Sequence, residues 1–123
     1  MATVTPTLSL VSNDALVDKL SLSVTDSLAI TGQAVYGSAV MASDGDFTLA
    51  AADYTISYVY VKNMSTNTAS RTGTDTIDVQ LAAVNLMTLA PGEFAFFPWH
   101  SDTALNFRSA SGTPTLEYGI FEF

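Results

Sequence analysis

From Tyr54 to Lys62 the sequence changes character at every residue, and that alternation constrains the chain more than any other feature. Tyr54, Ile56, Tyr58 and Tyr60 fall on one side of an extended backbone, while Thr55, Ser57, Val59 and Val61 fall on the other. β-Branched and aromatic side chains suit a pleated surface, and this stretch has no 3.6-residue rhythm. The same period recurs elsewhere. Leu20, Leu22 and Val24 oppose Ser21 and Ser23, Leu28 to Thr31 resumes the alternation, and Ile77, Val79 and Leu81 are expected to point inward. In the last strand, Leu116, Tyr118 and Ile120 share a face, with Phe121 and Phe123 opposite. A strand with one wet face should not carry two phenylalanines there, so these two are expected to meet a partner chain or a neighbouring loop.

Turn signals separate the strands. Ser43 to Asp46 (SDGD) is the strongest in the first half, and Ala90 to Glu93 (APGE) places Pro and Gly at the centre of a type II turn. Residues 82–90 have the look of a helical turn or two, but their run into that turn favours strand–turn–strand from Leu86 to Phe97. Asn63 to Thr74 is a polar loop, expected to be exposed. Short strands with turns roughly every 8–12 residues predict an all-β, single-domain antiparallel β-sandwich of jelly-roll type. Residues 1–13 read as an N-terminal arm or first strand across Leu8 to Val11, and residues 14–123 as the sandwich.

Composition narrows function mainly by exclusion. The chain has 123 residues and no cysteine, which removes disulfides, thiolate catalysis and cysteine-ligated zinc. Its formal net charge of -8 opposes binding to nucleic acid or to an anionic membrane. No apolar run approaches the ~20 residues of a membrane span. The Thr-rich start lacks the basic and apolar blocks of a signal peptide, so the mature protein is expected to begin near Met1. Charged residues make up 13% of the chain, against about 25% in an average soluble domain. Such a surface does little to discourage contact, as expected of a domain that works within an assembly.

Candidate chemistry is sparse. His100, the single histidine, lies near Ser101 and Asp102, but triad members seldom converge from one loop, and no G-x-S-x-G elbow is present. Trp99 is expected to anchor that loop in the core, with His100 partly solvated. Asp44 and Asp46, with Asp53, offer carboxylates for calcium but lack the spacing of a calcium-binding loop, so a solvated acidic turn is the simpler reading. Glu93, Glu117 and Glu122 are the carboxylates a glycosidase would pair, at a separation that sequence does not fix. Asn63 to Ser65 matches a glycosylation sequon. Trp99 and His100, with the face of Tyr54, Tyr58 and Tyr60, make an alternative ligand-facing surface suited to sugar rings. Alternating tyrosines beside Ile56 are nevertheless expected in the core, their hydroxyls reaching its rim. No cofactor is expected.

The segments Leu89 to Phe94 (LAPGEF), Ala104 to Ala110 (ALNFRSA) and Ser111 to Tyr118 (SGTPTLEY) resemble the C-terminal halves of small virion proteins of tailed bacteriophages. The strand ending at Lys62 and Asn63 and the segment Thr74 to Ile77 fit the same pattern, so the likeness spans about residues 54–123. It implies a head decoration (cement) protein made in the host cytoplasm and carried on the outer capsid surface. Its partners would be the major capsid protein and itself, as a dimer or trimer, with neither nucleic acid nor membrane. On that reading the contact residues are Thr5, Leu8 and Leu10 of the arm and Phe121 and Phe123 of the last strand. A tail or fibre module that binds carbohydrate is the alternative.

Overall fold

The computed structural model describes residues 2–49, 56–66, 74–100 and 103–123. Every regular element among them is an antiparallel β-strand. Contacts divide the chain into two compact units, residues 1–31 with Phe123, and residues 32–122. Each is described by itself.

The first unit is a long two-stranded ribbon. Strand β1 (Ala2–Val4) pairs with β4 (Leu28–Ile30), and β2 (Thr7–Ser12) pairs with β3 (Leu20–Thr25). The expected arm of residues 1–13 is thus one side of a hairpin whose other side returns through residue 30. One register runs through both pairings, from Ala2 opposite Ile30 to Ser12 opposite Leu20. The break between them falls at Pro6, which has no N–H to give the ladder. The Asp26 N–H donates to the Pro6 carbonyl across it at 3.2 Å. At the ribbon's end the Ser12 hydroxyl accepts from the Ala15 N–H at 2.9 Å and starts the turn.

The second unit has two four-stranded sheets around one apolar core. One sheet runs β10-β7-β12-β5, from Phe94–Trp99, Ser57–Asn63, Thr115–Glu122 and Ala34–Val40. The other runs β6-β11-β8-β9, from Asp46–Leu49, Leu105–Arg108, Ile77–Leu81 and Val84–Leu89. Among the described strands of this unit, each follows its predecessor from one sheet to the other, except across the β8–β9 hairpin. Val59, Val61, Leu116, Ile120 and Trp99 from the first sheet join Leu49, Leu105, Phe107, Ile77, Val79 and Leu89 from the second in one buried cluster.

Several turns match their sequence signals. Gly92 has φ +84, and the Glu93 N–H donates to the Ala90 carbonyl at 2.9 Å, as a type II Pro-Gly turn requires. In contrast, residues 84–89 are strand throughout, and the chain reverses at Ala82 and Ala83, both at positive φ (48 and 66). The strand–turn–strand reading from Leu86 to Phe97 thus holds over the helical alternative, although no Gly, Asn or Asp marks the hairpin at Ala82 and Ala83.

From Ile56 to Lys62 the alternation holds, but its faces are the reverse of those expected. Ser57, Val59 and Val61 are buried, while Tyr58 and Tyr60 are half-buried on the outer side and Ile56 is 41% exposed. Tyr54 lies outside the described residues. Period two fixes which residues share a face, not which face meets the core. Here the valines fill the narrow space between the sheets and the bulkier tyrosines lie outside.

Candidate binding surfaces

The outer faces of the two sheets differ sharply. On the β6-β11-β8-β9 sheet the outward side chains of β6, β11 and β8 are polar and paired with one another or with β9, and apolar exposure is confined to Val84 and Leu86 of the edge strand β9 (63 and 48%). The Thr48 hydroxyl donates to Asn106 at 2.8 Å, Thr88 donates to Asp78 at 2.6 Å, and the Gln80 amide donates to Asn85 at 2.6 Å. Arg108 bridges Asp46 at 3.3 Å and also binds Asp44. This face is built to meet water.

The outer face of the β10-β7-β12-β5 sheet is largely aromatic. Register aligns it in three rungs: Phe94, Lys62, Glu117 and Ser38; Phe96, Tyr60, Gly119 and Tyr36; Pro98, Tyr58, Phe121 and Ala34. Phe94 is 61% exposed and Tyr36 65%. The Tyr58 and Phe96 rings stack, with centroids 5.4 Å apart and planes within 2°. Gly119 makes the centre of this face a seat for a ring. A Cβ there would come within 3.1 Å of Phe121 and 3.7 Å of Tyr36. Phe121, singled out in sequence as a contact residue, therefore lies among exposed aromatics and opposite the core.

One charged pair punctuates the face. Glu117 sits across the strands from Lys62 and accepts a 2.8 Å hydrogen bond from the Tyr60 hydroxyl. The Tyr36 hydroxyl approaches the same carboxylate, and these two phenols hold Glu117 below the usual carboxylate range. Burial, and then the bond to Glu117, push the Tyr60 phenol up to about 12. At neutral pH the face presents an ionised carboxylate held by neutral phenols.

The ribbon also has two unlike sides. Leu8 opposite Val24, Leu10 opposite Leu22, and Ser12 opposite Leu20 lie on one face; Thr7 opposite Thr25, Ser9 opposite Ser23, and Val11 opposite Ser21 lie on the other, where Val11 is 71% exposed at the ribbon's end. Leu8, Leu10, Leu22 and Val24 are each about half exposed, at 45, 44, 42 and 52%. Taking the exposed halves of such side chains out of water is worth roughly 1 kcal/mol each. Asp26 is the one charged residue on the ribbon's strands and their mid-ribbon break, Asp14, Asp18 and Lys19 being in the loop at its end. Thr5 is exposed beside Pro6, between β1 and β2, and Phe123 is 45% exposed.

The remaining candidates are dispersed. Trp99 is buried in the core cluster, its ring edge-on to Phe97 at 6.4 Å, and its N–H meets no acceptor among the described residues. Trp99 projects from the opposite side of the sheet to Tyr58 and Tyr60, so these three cannot line a common sugar site. His100 is exposed, while Ser101, Asp102 and Asp53 lie outside the described residues. The three glutamates are not gathered. Glu93 accepts from the Ala90 N–H at 2.9 Å, Glu122 accepts from the Gln33 N–H at 3.0 Å, and Glu117 stands on the aromatic face. Asp44 and Asp46 share Arg108, and no cluster of three metal-binding side chains occurs among the described residues. Asn63 of the sequon is fully buried, and its amide donates to the Asp75 and Leu89 carbonyls at 2.6 and 3.1 Å.

The aromatic sheet face is the surface that sequence reasoning missed. The signal was present in Phe94, Phe96, Tyr58, Tyr60 and Phe121, but only strand order makes them neighbours. No family model matches the chain, and no curated protein or solved structure matches it.

Proposed function

We propose that this chain is a non-enzymatic structural protein of a phage particle, a decoration protein that binds the outer capsid and braces it as a homo-oligomer. The observation that carries the reading is the contrast between the two outer sheet faces. A polar, internally paired face suits solvent, and a contiguous aromatic face suits a protein surface. The shell is thus met through Phe94, Phe96, Tyr36, Tyr58 and Phe121, with Glu117 and Lys62 fixing orientation. Binding is non-covalent: each copy buries apolar area at about 25 cal/mol per Å², and the lattice multiplies the effect. The strand order, with nearly every connection crossing between sheets, supports a jelly-roll topology, which viral capsid domains share with lectins. That likeness is a fold-level analogy and adds to the surface argument without replacing it.

The test is co-sedimentation with capsids assembled without this chain. Wild type should bind, Phe96→Asp should lose binding at least tenfold, and Thr88→Asp on the polar sheet should bind as wild type does. Failure of the folded wild type to bind such capsids sinks the proposal. A second reading rests on the stacked Tyr58–Phe96 pair beside the hydrogen-bonded Glu117, an arrangement that also suits a sugar ring in a tail or fibre module. Glycan binding that is lost in Phe96→Ala, without capsid binding, would favour it.

A further inference from the structure

We infer that the ribbon of residues 2–30 is a self-association element, and that its apolar face packs on the same face of a second copy's ribbon. The inference does not depend on capsid binding. It begins from the ribbon's architecture. A two-stranded sheet alone in water is marginal, and independent stability takes more strands or a covered apolar face. Leu8, Leu10, Leu22 and Val24 leave that face half open to water.

Charge identifies the cover. The chain carries -8, and two copies repel wherever that charge is concentrated. Residues 1–31 hold Asp14, Asp18, Asp26 and Lys19, a net of -2, and residues 32–122 hold the other -6. The apolar face of β2 and β3 has no charged side chain at all, so two copies meet there with the least repulsion. An unlike partner, in contrast, would find no charge to read and, as a polar group, only the Ser12 hydroxyl at its end. Two such faces match in width and in aliphatic character, and stacked about 10 Å apart they make a four-stranded, two-layer unit with a dry interior.

Edge-to-edge pairing is the competing geometry, and the ribbon opposes it. The strands are interrupted between β1 and β2 on one edge and between β3 and β4 on the other, so neither edge presents a strand longer than six residues. The face is left as the route to association.

The absence of cysteine makes the test clean, because any introduced thiol is unique. Sedimentation of the full chain at micromolar concentration should show a dimer or a multiple of it. Leu10→Asp combined with Leu22→Asp should shift it to monomer, with the near-ultraviolet signal of buried Trp99 unchanged. Single substitutions Leu8→Cys, Leu10→Cys and Leu22→Cys should yield a covalent dimer at one position or more on oxidation. Ser9→Cys, Ser21→Cys and Ser23→Cys, on the hydroxyl face, should yield none. A monomeric wild type overturns the inference, even if that protein binds capsids. So does an oligomer that survives the double aspartate variant, or cross-linking that does not distinguish the two faces.

Discussion

Asn63 is the residue on which the most backbone depends. Its amide donates to two carbonyls from separate segments, its Oδ1 accepts from the Ser65 N–H at 3.0 Å, and its own N–H donates to the Glu93 carbonyl at 2.9 Å. A buried amide serves this place because it offers two donors and an acceptor within one planar group. Asn63→Asp keeps the shape but turns a carboxylate toward two carbonyl oxygens with nothing to donate. We expect a loss of about 3 kcal/mol or more, read from the denaturant midpoint, whereas Thr66→Ala, an exposed site, should cost well under 1 kcal/mol. The sequence offered Asn63 as a sequon and as the start of an exposed polar loop, whereas it is fully buried. Its structural duty depends on Asp75 and Leu89, which lie 12 and 26 residues away. The Ala82–Ala83 reversal was hidden for the opposite reason, because alanine has no turn preference and the flanking β8 and β9 force the positive φ.

At the scale of elements, the four strands of the aromatic sheet convert scattered residues into one hydrogen-bonded group. Tyr60 on β7, Glu117 on β12 and Tyr36 on β5 lie far apart in sequence and meet only through pairing. Linkage then gives the pH dependence. Tyr60, raised from 10.0 to about 12, contributes stability that is fully present below pH 10 and is lost as pH rises through about 12. Glu117 is lowered from 4.5, so its contribution is present above pH 4.5 and is lost as pH falls through its folded value. Tyr60→Phe should remove the phenolate that titrates near 12 by ultraviolet absorbance. It should also move the Glu117 pKa upward, as followed by carboxylate NMR. An unchanged Glu117 in that variant would break the proposed link. The ribbon belongs to this scale too. Its Leu-Ser alternation was visible from Leu20 onward, but that β3 returns along β2 in one register is a property of the pairing.

For the whole molecule the ruling quantity is the contrast between a net charge of -8 and two nearly uncharged apolar surfaces. If those surfaces mediate binding, added salt screens repulsion between acidic bodies and removes little attraction. Capsid binding and self-association should therefore hold or tighten as sodium chloride rises from low to physiological strength. Titration by light scattering or sedimentation checks this, and a steep loss of binding with salt would point to charge-driven contacts.

By itself the sequence determined that this chain is all-β, where most of its strands and the Pro-Gly and Asp-Gly turns lie, and that it is acidic, sparsely charged and free of cysteine. Those properties are local or additive, since side-chain alternation, turn chemistry and charge need no distant residue. The tertiary structure decided which side of β7 faces the core, the reverse of what its tyrosines suggested. It therefore decided that Tyr58 and Tyr60 are outside, and that Phe94, Phe96, Tyr36 and Phe121 share one surface. A period of two is symmetric between its faces, and only packing against a second sheet breaks that symmetry.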